Sequence, residues 1–168
     1  WLSCRVALGG ADREVLLGYA SIADYFTQTA FLGATIGRYA NRIGNARFSR
    51  DGKVYQLKPT QGGNQLHGGP DGFDRRRWRI LEQGTEYVVL GIESADGDQG
   101  FPGNLTATVC YRLQADMRIN MEYSATVDAA CPVNLTNHAY FNLDGAATDI
   151  RQHQLQIRAH QYMPIDRG

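Results

Sequence analysis

The sequence predicts an all-β fold, an antiparallel β-sandwich or a piece of one. Several runs alternate between apolar and polar residues with a period of two, which is typical of half-buried strands. Glycine makes up 19 of the 168 residues, and so high a share indicates many tight turns between short strands. Helical patterning is confined to one short segment, so the architecture rests on strands.

The first elements are one strand and one short helix. Residues 2–8 have a strand-like composition. Residues 21–24 match the N-cap pattern of a helix, with Ser21 as the capping side chain, and the aromatic pair that follows can complete a turn or two. We therefore expect a single short helix in an otherwise β-rich chain.

A tight β-hairpin is predicted around Asp51 and Gly52. Strand-like runs flank this pair at residues 47–49 and 54–57. Both central residues of a type I′ turn have positive φ, and Asp-Gly is one of the pairs that adopt it most readily.

Two further antiparallel pairs are predicted in the middle of the chain. Residues 78–82 and 86–93 form one of them, around a turn containing glycine. In residues 118–128 every second residue is apolar, which is the pattern of a strand with one buried face. Its expected partner is the run at residues 106–113.

Two more strands are predicted toward the C-terminus, at residues 133–143 and 153–159. A solvated strand face normally carries Lys, Glu and Arg, whereas one face of the first run has none. That face suits a concave surface binding a neutral polyhydroxylated ligand, since each buried polar group needs a partner. The alternative is a polar layer between sheets, or an exposed face with few charges. The five neutral hydrogen-bonding side chains are Asn134, Thr136, His138, Tyr140 and Asn142.

Composition excludes several classes of protein. The 17 basic and 17 acidic side chains balance, so no nucleic-acid partner is expected. No run of apolar residues is long enough for a membrane span. The four histidines lack metal-ligand spacing and no phosphate-binding loop pattern occurs, so neither a metal nor a cofactor is expected. The three cysteines have no C-x-x-C spacing, which argues against a disulfide framework and fits a reducing, cytoplasmic location.

Two other segments carry candidate binding groups. His67 lies in a glycine-rich loop at residues 61–74, where glycines let the backbone approach a ligand closely. Asn41 and Arg42 can supply directional donors to hydroxyls. Taken alone, His67 is better interpreted as a surface-loop histidine without a role, and the alternative for Arg42 is a surface ion pair with a carboxylate. The arginines around Trp78 are expected to form the solvated edge of a strand: Arg75, Arg76, Arg77 and Arg79.

Four blocks of sequence follow one another in a characteristic order and spacing. They lie at residues 33–43, 64–74, 96–103 and 134–143. Together they resemble the aldose 1-epimerases, also called galactose mutarotases, over essentially the whole chain, with a texture closest to the enteric-bacterial members. The resemblance implies a large β-sandwich (a supersandwich) and cofactor-free interconversion of the α and β anomers of galactose and glucose.

The resemblance also implies roles for individual residues. In the family, the histidine of the Asn-His-x-Tyr-Phe motif donates a proton to the sugar ring oxygen; here this is His138. The histidine of the Leu-His-Gly-Gly motif, here His67, binds and polarises the same region. Contacts to sugar hydroxyls carry over to Asn41, Arg42 and Tyr140.

Members of that family are longer than this chain. We therefore expect residues 1–168 to be a single partial β-sandwich domain, without the family's first strands and C-terminal part. The family's glutamate base and its sugar-binding aspartate have no counterpart in residues 1–168, and Asp166 is not that aspartate. Because the base is missing, the chain alone is expected to have little activity. The alternative is a non-catalytic sugar-binding or regulatory module on the same fold. A second alternative is an epimerase that acts on a phosphorylated hexose. It would need additional cations around the site, and the neutral strand face around His138 gives it little support. The sequence does not decide the oligomeric state.

Overall fold

The computed structural model describes residues 1–145 and 149–164, so Asp166 lies outside the described residues. Short strands dominate the described chain, with one α-helix and three 3-10 turns at Gly44–Ala46, Phe73–Arg75 and Asp98–Gly100. In chain order the elements are β1 Arg5–Leu8, β2 Ala11–Glu14, α1 Ile22–Thr27, β3 Thr35–Ile36, β4 Arg42–Ile43, β5 Arg47–Arg50, β6 Lys53–Gln56, β7 Gln65–Leu66, β8 Arg79–Gln83, β9 Tyr87–Ser94, β10 Leu105–Leu113, β11 Ile119–Val127 and β12 Thr136–Asn137.

The largest sheet has four antiparallel strands in the order β11-β10-β9-β8. The two longest strands, β10 and β11, pair along their whole length from Leu105 opposite Val127 to Leu113 opposite Ile119. The strand predicted at residues 118–128, its partner and the hairpin ahead of them are therefore confirmed. The remaining strands form two-stranded pairs: β1 with β2, β3 with β12, β4 with β7, and β5 with β6.

The local signals for the helix and the tight hairpin are also confirmed. Ser21 caps α1, because its side-chain oxygen accepts a hydrogen bond from the backbone N–H of Ala23 at 3.1 Å. Between β5 and β6, Asp51 and Gly52 have φ of 50° and 76°. Both residues are thus in the left-handed region that a type I′ turn requires.

Two predicted strands are wrong. Residues 133–143 form only the two-residue strand β12, with single bridges from Asn134 to Tyr39 and from Phe141 to Leu16. The Asn137 side chain accepts from the backbone N–H of Ala139, a local bond that competes with strand pairing. Residues 153–159 form no strand, because no neighbouring strand pairs with them within the described part of the chain.

The buried residues form two hydrophobic clusters. Phe73, Ile92, Leu105 and Ala107 make one, against which Leu135 and Trp78 pack. Ala46, Leu57 and Phe101 make the other, beneath Tyr39, Ile43 and Phe48. The two clusters support the loops on which the candidate site residues lie. No helix in residues 1–145 and 149–164 is long and apolar enough to cross a membrane.

A buried arginine joins the loops to the large sheet. Arg38 is only 2% exposed. Its guanidinium donates to the Ser94 side chain at 2.9 Å and to the carbonyl oxygens of Ser94 and Ala95 at 2.7 Å each. It also donates to the carbonyl oxygen of Pro102 at 3.0 Å. These bonds tie the segment after β3 to the loop between β9 and β10.

Arg76 corrects the expectation of a solvated arginine edge. Its side chain is 22% exposed and makes two hydrogen bonds of 2.6 Å to the carboxylate of Asp98. Such a paired geometry suits the planar guanidinium and withdraws it from water. Arg75, Arg77 and Arg79 are exposed as predicted.

Replacing Arg38 by leucine should lower the free energy of unfolding by at least about 3 kcal/mol, because several buried acceptors would lose their donors. Urea denaturation measures this loss. Arg50→Leu is the control, since the Arg50 side chain is 55% exposed, and its effect should stay within about 0.5 kcal/mol. A loss below about 1 kcal/mol for Arg38→Leu would contradict the structural role given to this residue.

Candidate active site

The loop that carries His67 is held close to the segment after β3. His67 follows β7 with φ of 52°, and Gly68 has φ of 88°. A Cβ atom on Gly68 would come within 1.9 Å of the carbonyl oxygen of Gly37. Only glycine therefore permits this close approach, which fixes the start of the loop.

His138 directly follows β12 and is held by backbone hydrogen bonds on both of its sides. Its N–H donates to the carbonyl oxygen of Ala34 at 2.9 Å, and its own carbonyl oxygen accepts from the N–H of Gly33 at 3.1 Å. The residue is half-buried. Its backbone is therefore fixed while its imidazole stays accessible.

The two histidine side chains meet. Their ring centroids lie 5.1 Å apart with an interplanar angle of 87°. Phe31 contacts both rings, at 4.7 Å from His67 and 5.6 Å from His138. The Tyr140 ring lies 5.0 Å from that of His138. We call these four side chains the histidine cluster.

Asn41 and Arg42 adjoin the histidine cluster through His67. The backbone N–H of Asn41 donates to Nδ1 of His67 at 3.0 Å. Nδ1 is thus an acceptor, so the proton of the neutral ring lies on Nε2. Arg42 donates from Nε to the side-chain oxygen of Gln61 at 2.7 Å and from Nη1 to that of Asn41 at 3.3 Å. These bonds orient an exposed guanidinium beside the cluster.

The electrostatic environment keeps His67 neutral. Burial of the imidazole lowers the pKa of His67 from 6.5 to about 4, with smaller contributions from His138 and from the positive charge of Arg42. The direction agrees with the hydrogen bond from Asn41, because an imidazole whose Nδ1 accepts a bond carries one proton. At neutral pH the Nε2–H of His67 is available as a donor.

Asp74 is a carboxylate that the sequence analysis did not single out. Its side chain is 9% exposed, and its Oδ1 is buried without a hydrogen-bond partner. Burial raises the pKa of Asp74, while its own backbone and the charges of Arg75 and His138 act in the opposite direction. Asp74 lines, with Gly33 and Ala34, a hollow of about 580 Å³.

The structure brings five candidate site residues into one neighbourhood, but not by the shared strand face predicted for residues 133–143. These five are Asn41, Arg42, His67, His138 and Tyr140. The side chains of Asn134 and Thr136 are directed elsewhere, to the backbone oxygens of Ala40 and Asn137. Phe31 was missed because it lies outside the motif blocks. Gln61 and Asp74 were missed as well, although Asp74 lies inside the second block.

The chemistry of this neighbourhood suits a neutral ligand with many hydroxyl groups. The described side chains offer a neutral N–H donor on His67, a second imidazole, the guanidinium of Arg42 and the phenol of Tyr140. Within residues 1–145 and 149–164, no group of three or more His, Cys, Asp or Glu side chains is arranged to hold a metal ion. The guanidinium and phenol groups can donate hydrogen bonds, and the imidazoles can also transfer protons.

Comparison with known proteins identifies relatives over the whole chain. The family model described as aldose 1-epimerase matches residues 1–168. The chain is 60% identical to aldose 1-epimerase of Escherichia coli K12 over 99% of its length and 49% of that protein. It is 42% identical to the galactose mutarotase of Homo sapiens over 94% of its length and 46% of that protein. The chain thus spans about half the length of the curated relatives it matches.

A solved structure agrees with the fold. The aldose epimerase homologue from C. elegans superposes with a TM-score of 0.82 at 34% identity, covering 88% of this chain and 46% of that one. This match, together with the antiparallel sheets, confirms the predicted fold class.

The protonation of His67 can be tested by titrating its imidazole nitrogens with NMR. We expect a midpoint at about pH 4, with the proton on Nε2 above it. Arg42→Gln should move the midpoint upward, because a positive neighbour is removed, whereas Arg50→Gln should leave it unchanged. A titration midpoint near pH 6.5 would contradict the assignment.

The lowered pKa of His67 also predicts that the free energy of unfolding decreases as the pH falls from about 6.5 to about 4, because only the unfolded chain takes up the proton in that range.

Proposed function

The chain belongs to the aldose 1-epimerase family, and on that premise we propose that the protein containing it interconverts the α and β anomers of hexoses such as D-galactose and D-glucose. The observation that carries the proposal is the contact between the two imidazoles, whose ring centroids are 5.1 Å apart. A neutral histidine donor beside a second histidine is suited to binding a pyranose ring oxygen and delivering a proton to it.

His138 is the general acid in this mechanism. A carboxylate base removes the proton from the anomeric hydroxyl, and the freed electron pair forms the carbonyl bond at C1. The bond between C1 and the ring oxygen breaks, and the ring oxygen takes its proton from His138. The sugar is then an open-chain aldehyde. Rotation about the C1–C2 bond followed by closure on the other face gives the other anomer, and the same groups work in reverse.

His67 binds the substrate without carrying charge. With Nδ1 occupied by the N–H of Asn41, its Nε2–H is the group that can donate to the sugar near the ring oxygen. Because His67 stays neutral, it does not oppose the protonated form of His138 beside it. Asn41, Arg42 and Tyr140 are proposed to bind sugar hydroxyls, and the exposure of their side chains supports this role.

The base is proposed to be a glutamate outside residues 1–168. Residues 1–168 then supply the acid and part of the sugar site as one partial β-sandwich domain. We also propose a cytoplasmic location, which the three free cysteines Cys4, Cys110 and Cys131 support.

Changing His138 to glutamine should lower the mutarotation rate by about 10²–10⁴-fold, the usual contribution of a positioned acid. Polarimetry of freshly dissolved α-D-galactose and α-D-glucose measures the rate in the protein containing these residues. His160→Gln is the matched control, since His160 is exposed and outside the histidine cluster, and it should be neutral. A His138→Gln protein that keeps more than about a tenth of the rate would refute the acid role.

The 168-residue chain on its own should be nearly inactive, because acid catalysis without a base loses a comparable factor of about 10²–10⁴. The same polarimetric assay compares the purified chain with the protein that carries the glutamate. Equal rates for the two would mean that the base lies within residues 1–168. Sugar binding without turnover by both would instead favour a binding or regulatory module.

A further inference from the structure

The backbone of His138 is fixed by short pairings that need support. The strand ahead of it, β12, has two residues, and within the described part of the chain its one partner strand is β3. Isolated pairs of this length are marginal in stability. The side chain of Asn137, immediately before His138, supplies an additional restraint.

Asn137 makes two hydrogen bonds with opposite ends of its amide. Its Oδ1 accepts from the backbone N–H of Ala139 at 2.8 Å, which spans His138 and fixes the local turn. Its Nδ2 donates to the phenol oxygen of Tyr111 at 3.1 Å. The amide thus links the turn at His138 to a residue 26 positions earlier in the chain.

Tyr111 lies on a rigid element. It belongs to β10, which is paired with β9 on one side and β11 on the other. Its phenol oxygen also lies 2.7 Å from the hydroxyl of Thr35 on β3. The phenol oxygen accepts from Asn137, and either hydroxyl can be the donor in the contact between Tyr111 and Thr35. One hydroxyl therefore joins the large sheet to both strands of the pair that carries His138.

We propose that Tyr111 is a positioning residue for the proton-donating histidine, acting through the side chain of Asn137. Tyr111 touches neither histidine ring. Its hydroxyl holds the Asn137 amide, which in turn holds the turn from which the His138 imidazole projects. The inference rests on the proposed function for its kinetic consequence, but the restraint itself is a statement about the fold. Misplacement of an acid by a fraction of an ångström reduces the rate more than it reduces substrate binding.

Tyr111→Phe tests the proposal, because it removes the hydroxyl and keeps the ring. In the protein containing these residues we expect kcat for mutarotation to fall by about tenfold, with KM within about twofold of the original value. Tyr87→Phe is the matched control. Tyr87 lies on the adjacent strand β9 and its hydroxyl donates to Glu82, away from the histidine cluster. This control should change neither constant.

A double-mutant cycle separates positioning through Asn137 from general destabilisation. Asn137→Ala should lower kcat at least as much as Tyr111→Phe does, and the double variant should match Asn137→Ala alone. If the two substitutions acted independently, their fold-losses in kcat would instead multiply in the double variant. A multiplicative result, or a kcat for Tyr111→Phe within twofold of the original, would overturn the proposal.

The imidazole NMR signals of His138 give a readout that does not need activity. They should shift or broaden in Tyr111→Phe and stay unchanged in Tyr87→Phe. If the unmodified protein has no mutarotase activity, the proposed function fails, and these signals alone then decide the positioning role. Unchanged His138 signals in Tyr111→Phe would contradict it.

Discussion

The hydrogen bond from the backbone N–H of Asn41 to Nδ1 of His67 determines which nitrogen of that imidazole carries its proton. Two imidazoles 5.1 Å apart in a half-buried setting cannot both carry a positive charge without a cost in free energy, because the two charges would repel each other. The bond from Asn41 makes His67 the neutral partner with its proton on Nε2, and in the proposed mechanism His138 carries the transferable proton. Both Asn41 and His67 have left-handed backbone, with φ of 67° and 52°, so the bond depends on an uncommon local conformation.

The segment from Gly33 to Arg42 positions both histidines. Gly33 and Ala34 hold the backbone of His138, and Asn41 holds the ring of His67. Between them, Arg38 anchors the segment to the loop between β9 and β10. A displacement of this one segment would therefore move both imidazoles, and its buried arginine contributes to the precision of the site as well as to stability.

The sequence predicted the elements whose signals are local. The Asp51-Gly52 turn and the Ser21 cap depend on the backbone preferences of a few adjacent residues, and alternation was enough for β10 and β11. Alternation gave wrong predictions at residues 133–143, where the Asn137 side chain competes with strand pairing, and at residues 153–159, where no partner strand is described. Arg76 was misjudged because its partner Asp98 is 22 residues away.

The site residues were accessible to sequence reasoning only through their motifs, since no period or spacing relates His67 to His138. Phe31, which contacts both rings, carries no such signal, and the roles of Asp74 and Tyr111 depend on burial and on contacts across the sheets.

A crystal structure with bound D-galactose tests the central claim most directly. It should hold the pyranose ring oxygen within about 3 Å of both the His138 imidazole and Nε2 of His67. A sugar bound with its ring oxygen away from the two histidines would contradict the account.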